Sequence, residues 1–190
     1  MDLILDRSSA RTLIVFGERL ITLDGRDPAW VPAIKRCLQG HRPSRLLVGL
    51  GPGSFAGTRA AIACLQGIGI AWKMQPLGFA SSAVLALASG LPVVSVVGDA
   101  RRGTLWLIRY AVTPERIVQL GDSRILAREH FIPTEEVVSP DADRLVEFNL
   151  RSVSLTVEWL QKAVLRLEHA LVKDPLPIYL HPAVGAAHAE

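Results

Sequence analysis

Short apolar runs alternate with polar turns over the first 24 residues. LILD (3–6), RTLIVFG (11–17) and RLITLD (19–24) are rich in aliphatic and β-branched residues, and RSSA and Gly17-Glu18 separate them. Runs of this kind, joined by tight polar turns, are typical of antiparallel hairpins. The pattern therefore predicts a three-stranded meander.

After residue 28 the apolar positions take on helical spacing, and helices then alternate with strands. Trp30, Ile34, Cys37 and Leu38 fall on one side of a helix that Gly40 ends. The predicted elements are helix 28–40, strand 45–50, helix 57–73, strand 75–80, helix 81–88 and strand 91–98. Following a meander, this order is typical of a mixed sheet with helices on both faces. It predicts an α/β protein with the actin-like ATPase (ASKHA, ribonuclease-H-like) fold.

An internal echo bears on the domain organisation. LILDRSSARTLIV (3–15) is similar to VVGDARRGTLWLI (96–108), since each has an apolar strand ending in Asp, a polar turn with Arg, and Thr-Leu opening another strand. Duplicated domains produce such an echo, and so do two unrelated Asp-turn hairpins.

We expect two subdomains with mixed sheets, 1–98 and 99–190, of which the second is truncated. The elements predicted for the second are strands at 104–112, 116–121 and 123–127, a short strand near Val146 within the loop region 128–153, a long helix over 156–172 and an extended tail from 175. Apolar residues at helical spacing make 156–172 the clearest amphipathic helix of the chain.

Composition indicates an ordinary globular protein. Of the 190 residues, 49% are apolar, which is enough for a substantial core. No apolar run is long enough to span a membrane, and the N-terminus lacks a signal-peptide pattern, so we expect a cytoplasmic protein that does not bind membranes. Cys37 and Cys64 lie in unrelated contexts, which predicts two core thiols rather than a disulfide or a zinc site.

Charge is distributed unevenly along the chain. The net charge is +3, yet no Asp or Glu occurs between Asp27 and Asp99, where the six basic residues are Lys35, Arg36, Arg42, Arg45, Arg59 and Lys73. This region is suited to an acidic partner, a phosphate or RNA, or it is a solvated rim on an apolar subdomain.

The stretch GLGPGSFAGTR (49–59) resembles a phosphate-binding turn between a strand and a helix. It fits G-x-G-x-x-[GA], but no acidic residue follows before Asp99, where a dinucleotide site needs one about twenty residues on, and Gly-Lys-Ser/Thr is absent. We therefore interpret it as a structural turn, in which glycines adopt unusual backbone angles and Ser54 caps the next helix. The turn residues are Gly51, Pro52, Gly53, Ser54 and Gly57.

The helix after this turn carries no charge from Ala60 to Trp72. Its bulky ridge, which contains Ile62, Leu65, Ile68 and Trp72, is expected to pack on the sheet. Its other side is small, and small side chains let another helix approach closely. The candidate partner interface consists of Ala56, Ala60, Ala63, Cys64, Gly67 and Ala71. The alternative is that a helix of the same chain, 30–39 or 81–88, covers this side.

Candidate catalytic groups are few. Two-metal nucleases need converging carboxylates, and the fourth strand supplies none to join Asp6. No histidines have HxxxH spacing, and Ser54 comes one step too early for G-x-S-x-G. We predict no catalytic residue, no metal and no cofactor, and a peptidase function finds no support.

Nucleotide binding is the remaining enzymatic alternative. The residues that could contact a nucleotide lie in the first hairpin turn and in its echo, and they are Asp6, Ser8, Ser9 and Asp99. A stand-alone nucleotide-binding enzyme or ATPase of the actin-like class would use them. Arg7 is bulky at the point where backbone amides would approach a phosphate.

Four segments resemble, in order, the TsaB (YeaZ) family. They are GPGSFAGTR, PLGFASSAVLALA, PVVSVVGDARRGTLWLIRY and PLPIYLHPA. The resemblance implies a truncated actin-like fold and no catalytic activity of its own. It also implies a heterodimer with the catalytic subunit TsaD, formed through helices of the first subdomain, or a homodimer when that partner is absent.

The same resemblance implies a cellular role. With the small ATPase TsaE, the TsaB–TsaD pair installs threonylcarbamoyl on adenosine 37 of tRNA, and TsaB's own contact with tRNA would be indirect or weak. The chain departs from the family pattern in having Ala56 for Thr, Thr58 for Leu, and Arg7 where the first strand runs into Asp-Thr-Ser. It therefore resembles a short and divergent member.

Overall fold

The computed structural model describes residues 1–133 and 135–180. Within this range, two sheets and four α-helices follow one another along the chain. In chain order the elements are β1 (Leu3–Asp6), β2 (Arg11–Phe16), β3 (Arg19–Asp24), α1 (Trp30–Leu38), β4 (Leu46–Gly49), α2 (Phe55–Trp72), β5 (Pro76–Phe79), α3 (Ser81–Ala88), β6 (Val93–Arg101), β7 (Thr104–Val112), β8 (Ile117–Gln119), β9 (Arg124–Ala127), β10 (Val137–Val138), α4 (Val157–Arg166) and β11 (Val172–Lys173).

The first sheet has six strands in the order β11-β5-β4-β1-β2-β3. The predicted meander is confirmed, because β1, β2 and β3 pair antiparallel. On its other side β1 pairs in parallel with β4, which pairs in parallel with β5. Parallel neighbours need crossovers, and α1 and α2 provide covering helices within these long connections. The result is the mixed sheet that the element order predicts.

The second sheet is built on one long hairpin. Strands β6 and β7 pair antiparallel from Val93↔Ala111 to Arg101↔Thr104. β10 joins the outer side of β6 in parallel, and β8 and β9 both pair with β7. The predicted strands 104–112, 116–121 and 123–127 correspond to β7, β8 and β9. The expected boundary at residue 98 falls inside β6, and the division into 1–98 and 99–190 stays a prediction.

Alternating side chains of β1 divide the core. Leu3 and Leu5 join an apolar cluster with α1 and α2 on one face of the first sheet. Ile4 faces the other way, into a cluster that combines both sheets with α3 and α4. All eight residues of α3 are buried, and the Ser82 hydroxyl lies 2.7 Å from the Tyr110 hydroxyl of β7. The helix that is covered on all sides is thus α3.

Two predicted elements in the second half are wrong. The long helix over 156–172 ends at Arg166, and a 3-10 turn over Glu168–Ala170 follows it. Val172 then pairs with Gly78 at the edge of the first sheet. As a strand, this segment forms hydrogen bonds with the edge backbone groups of β5, which a longer helix would leave unpaired. The apolar spacing that continues past Arg166 reflects packing of Leu167, which is buried.

The short strand expected near Val146 is also misplaced. Val146–Phe148 is a 3-10 turn, and the Val146 side chain is exposed. The strand of this region is β10, whose two valines are buried beside β6. The extended tail is described as far as residue 180, and its remaining part, 181–190, lies outside the described residues.

Candidate functional site

The glycine turn between β4 and α2 packs tightly against the turn between β1 and β2. The Ser54 amide donates to the Ser8 carbonyl oxygen over 2.5 Å. A Cβ atom on Gly53, which has φ +152°, would overlap that same carbonyl oxygen, and one on Gly57 would overlap the carbonyl of Arg7. These glycines therefore permit a close approach between two segments of the chain.

Backbone amides of the turn already have acceptors. The Gly51 amide donates to the Ser81 hydroxyl at 3.1 Å, and the Ser81 amide returns a bond to the Gly51 carbonyl at 2.9 Å. The Ser54 hydroxyl accepts from the Gly57 amide, so Ser54 is the N-cap of α2. The arrangement fastens α2 to α3 and to the first hairpin.

Helix α2 presents its small side to solvent. Of the six residues in the candidate interface, Ala56, Ala63, Gly67 and Ala71 are exposed, while Ala60 and Cys64 are half-buried. A Cβ atom on Gly67 would meet nothing within 4 Å. Ile62 and Leu65 are buried against the sheet, as expected for the bulky ridge. We call the exposed side, with the neighbouring Ile70, the α2 face.

The largest exposed apolar side chain of the α2 face is Ile70, at 82% exposure. Neither α1 nor α3 covers this side of α2, because Ala63, Gly67 and Ala71 are exposed. Helix α3 packs in the cluster on the opposite face of the sheet. Although α2 is apolar, no described helix is both long and apolar enough to cross a membrane.

The two thiols have different surroundings. Cys37 is a core thiol, as expected, with 1% exposure. Cys64 is not, because it lies half-buried on the α2 face. Burial raises the pKa of the Cys64 thiol, and the nearby Arg7 guanidinium partly offsets this effect.

The Arg7 side chain is held by contacts to Thr12, Gly25 and Trp30. Its Nε donates to the Thr12 hydroxyl at 3.0 Å, and its Nη2 donates to the Gly25 carbonyl at 2.7 Å. Its guanidinium stacks on the Trp30 ring at 4.1 Å from the centroid. Burial lowers the pKa of this guanidinium, whose two acceptors are both uncharged. The side chain thus joins β1 and β2 to α1. The prediction that Arg7 would obstruct a phosphate is therefore wrong.

The candidate nucleotide contacts are only partly brought together. Ser8, Ser9 and Asp99 line a cleft of about 670 Å³ between the two hairpin turns. Asp6 does not line it, because its carboxylate accepts the Ser8 amide at 2.8 Å and packs against Gly49. Asp99 repeats this geometry, with its carboxylate accepting the Arg101 amide at 2.8 Å. The sequence echo therefore corresponds to two equivalent Asp turns.

Sequence reasoning missed the wall of this cleft that the second sheet provides. Asp141 is buried, and its Oδ2 accepts the Asp99 amide at 3.1 Å. Burial raises the pKa of the Asp141 carboxyl. Trp106 also lines the cleft, and the tail closes one side through residues 177–180. Asp141 follows an irregular loop, so no periodic pattern in the sequence marks it. The pairing of Trp106 with Gly98 could have been predicted from the sequence, as a large residue opposite glycine in a hairpin.

Two solved structures from Pseudomonas aeruginosa share this fold. One is described as an uncharacterized protein with similarity to peptidase YeaZ, and it matches with a TM-score of 0.72 and 19% identity over 95% of this chain and 99% of that chain. The other is described as YeaZ, with a TM-score of 0.71 and 20% identity over 94% and 99%. No model of a known protein family and no curated protein sequence matches the chain.

This likeness, at about one identical residue in five, shows the fold alone. The chain has a YeaZ-like fold of the actin-like, ribonuclease-H-like class. The fold class predicted from the order of elements is therefore confirmed.

Proposed function

We propose that this protein is a non-catalytic scaffold subunit of the TsaB type. In this proposal it forms a heterodimer with a TsaD-like catalytic subunit, and the pair is required for threonylcarbamoylation of tRNA adenosine 37. A TsaE-like ATPase completes a ternary complex, tRNA contact is indirect or weak, and the chain forms a homodimer when its partner is absent. The YeaZ-like fold supports the assignment at the level of the fold.

The observation that carries the proposal is the exposure of the α2 face. It is an uncharged, mostly apolar helix surface, and Ile70 projects from it at 82% exposure. Burying one such side chain in an interface contributes roughly 1.5–3 kcal/mol. Because Gly67 has open space above it and Ala63 and Ala71 are short, a partner helix can approach closely and cover Ile70 as it does so.

Exposed basic side chains on α1 and α2 favour a partner with carboxylates. Lys35 and Arg36 of α1 are exposed, and so is Arg59 of α2. Arg45 of the same stretch is paired with Asp2 and Glu168, whereas these three side chains form no ion pair within the part of the chain that the structure describes. A second copy of the chain would bring like charges together, whereas an acidic partner would be attracted. This distribution supports the heterodimer as the tighter assembly.

The glycine turn supports a scaffold rather than a phosphate-binding role. The Ser54 amide is engaged with Ser8 and the Gly51 amide with Ser81, and a side chain on Gly53 or Gly57 would overlap the first hairpin. What this turn does is fix the start of α2. In the proposal it therefore holds the docking helix at a set angle to the sheet.

Co-purification with the TsaD-like subunit of the same organism tests the proposal. Gly67→Leu fills the open space on the α2 face and is expected to abolish the complex, and Ile70→Ser is expected to weaken it by about tenfold or more. Leu165→Ser is the matched control, because Leu165 is an equally apolar, exposed side chain on the surface of α4. Complexes of unchanged affinity with Gly67→Leu and Ile70→Ser would refute docking through this face.

A further inference from the structure

Strand β3 forms a long, regular edge of the first sheet. Within the described parts of the chain its six residues, Arg19–Asp24, pair with β2 on one side and with no strand on the other. The strands at the other ends of the two sheets are short, since β8 has three residues and β10 and β11 have two each. β3 contains no proline, and its register with β2 is unbroken. An edge of this kind is suited to pairing with another strand.

The hairpin geometry determines which backbone groups of β3 point outward. Phe16 and Arg19 flank a two-residue turn, so they form a hydrogen-bonded pair. Such pairs alternate along an antiparallel ladder, and the N–H and C=O groups of Leu20, Thr22 and Asp24 therefore point away from β2. The Asp24 carbonyl accepts an amide of the following turn at 3.1 Å. The outward groups of Leu20 and Thr22 have no hydrogen-bond partner among the described residues.

A second copy of the chain is the occupant that this edge fits. Two copies related by a two-fold axis pair their β3 strands antiparallel, so that the same residues meet from both sides. The hydrogen-bonded pairs between them consist of outward-pointing residues alone. Two registers then give the longest overlap of β3 with itself, one centred on Ile21 and the other on Thr22.

Charges at the ends of the strand distinguish the two registers. Centring on Ile21 brings Glu18 to Asp24 of the second copy, and the two carboxylates repel each other. Centring on Thr22 brings Glu18 to Arg26 of the second copy, once at each end of the paired region. The Glu18 and Arg26 side chains are exposed, and neither forms an ion pair within the part of the chain that the structure describes. Charge complementarity therefore selects the register centred on Thr22.

The same register pairs apolar side chains. Ile21 lies opposite Leu23 of the second copy, once on each side of the axis, in the closely spaced type of pair. Both side chains are half-buried at the margin of the apolar cluster under α1 and α2. Thr22, which is exposed in the single chain, meets its own copy at the axis, where the two residues exchange backbone hydrogen bonds.

We infer that two copies of this protein associate through β3, antiparallel and centred on Thr22, to form one sheet that is continuous across the dimer. The inference rests on the homodimer of the proposed function and not on its TsaD-like partner. The α2 face suits a second copy less well, because Lys35, Arg36 and Arg59 would bring like charges together. Since β2 separates β3 from the strands on which α2 packs, the dimer leaves the α2 face free.

Sedimentation velocity of the full chain alone, over a range of micromolar concentrations, tests the inference. We expect a dimer that Thr22→Pro weakens by about tenfold or more, because proline removes the amide donor at the axis. The Thr22 amide does not bond to β2, so this proline breaks no hydrogen bond within the hairpin. Thr22→Val is the matched control, since it keeps the amide and a β-branched side chain, and it should remain dimeric.

Two further variants keep the inference falsifiable if Thr22→Pro folds poorly. Thr22→Lys changes an exposed side chain and places two ammonium groups opposite each other at the axis, so it should also weaken the dimer by about tenfold. Glu18→Arg should weaken it less, and adding Arg26→Glu should restore it, because the double variant exchanges the two charges. A double variant that fails to restore the dimer would contradict the register.

A chain that stays monomeric throughout, or a dimer that neither Thr22→Pro nor Thr22→Lys weakens, would overturn the inference. Gly67→Leu separates this result from the proposed function, since it should abolish the complex with the TsaD-like subunit and leave the homodimer intact. Loss of the homodimer in Gly67→Leu would assign self-association to the α2 face and would also overturn the inference. A TsaD-like complex that survives Gly67→Leu would refute docking through α2 and leave the β3 dimer standing.

Discussion

The Ser54 amide donates to the carbonyl oxygen of Ser8, and this contact fastens the turn that begins α2 to the first hairpin. The two residues are far apart in the sequence and meet only in the folded chain. Because the approach is close, the turn needs glycines where side chains would collide. A sequence that resembles a phosphate-binding turn is thereby used to set the position of a helix.

Gly53 and Gly67 should respond oppositely to alanine. Gly53→Ala places a Cβ atom on the Ser8 carbonyl at φ +152°, so we expect a loss of about 2–4 kcal/mol in the free energy of unfolding. Gly67→Ala enters open space in the middle of α2 and should raise that free energy by up to about 1 kcal/mol. Urea denaturation of both variants measures the difference. Equal effects would contradict the assignment of Gly53 to a packed turn and Gly67 to an open face.

Arg7 should be required for stability although it is not a site residue. It makes hydrogen bonds to Thr12 and Gly25 and stacks on Trp30. Arg7→Lys cannot reach both acceptors and keep the planar stack, so we expect a loss of roughly 2 kcal/mol in the free energy of unfolding. Arg11→Lys, at an exposed position on β2, is the control and should change stability by less than about 0.5 kcal/mol. An Arg7→Lys variant of unchanged stability would show that the stack and the hydrogen bonds contribute nothing to the free energy of unfolding.

Stability should fall in alkaline solution because of Tyr110. Burial raises the pKa of the Tyr110 hydroxyl from its usual value of 10 to about 12, and the bond to Ser82 opposes this rise. Since the folded pKa is the higher one, the contribution to stability is complete below pH 10 and is lost as the pH rises toward 12. Tyr110→Phe should flatten the dependence of unfolding free energy on pH in this window. An unchanged slope in the variant would assign the alkaline loss to other groups.

Magnesium should not strengthen any effect of ATP on the protein. Within the described parts of the chain, three or more His, Cys, Asp or Glu side chains never come together in a group that could hold a metal ion. Two amides of the glycine turn, those of Ser54 and Gly51, are bonded to Ser8 and Ser81. We expect the same melting temperature with ATP alone and with ATP and Mg²⁺. A magnesium-dependent rise, accompanied by hydrolysis, would favour the stand-alone ATPase alternative.

Local sequence patterns predicted the first half of the fold well. The meander follows from apolar runs separated by polar turns, and α1 follows from the helical spacing of its apolar side. Helix α3 is buried on all sides and α2 is apolar all round, so these two were marked by uncharged runs next to glycine-containing turns. Helical spacing failed as a guide near Arg166, where Leu167 and Leu171 continue it while the chain turns to form β11. Edge pairing with β5 depends on tertiary position, which spacing does not encode.

The candidate site was predictable only in part. The small residues of α2 were visible as a stripe, and the structure shows that they are open to solvent. The cleft wall was not visible, because Trp106 and Asp141 come together only through the pairing of β6 with β7 and through the Asp141–Asp99 bond. Arg7 was misjudged, since nothing in the sequence indicates that its guanidinium folds back onto Trp30.

The reactivity of Cys64 tests docking through the α2 face most directly. The chain has two thiols, and the second, Cys37, is buried in the core and serves as an internal control. When the TsaD-like subunit is added to dilute protein, the reaction of Cys64 with methyl methanethiosulfonate should slow by about tenfold or more, since the thiol becomes covered and the reactive thiolate less accessible. This reaction converts the thiol to a methyl disulfide and releases methanesulfinate. An equal rate of Cys64 labelling in the purified complex and in the free chain would contradict the account.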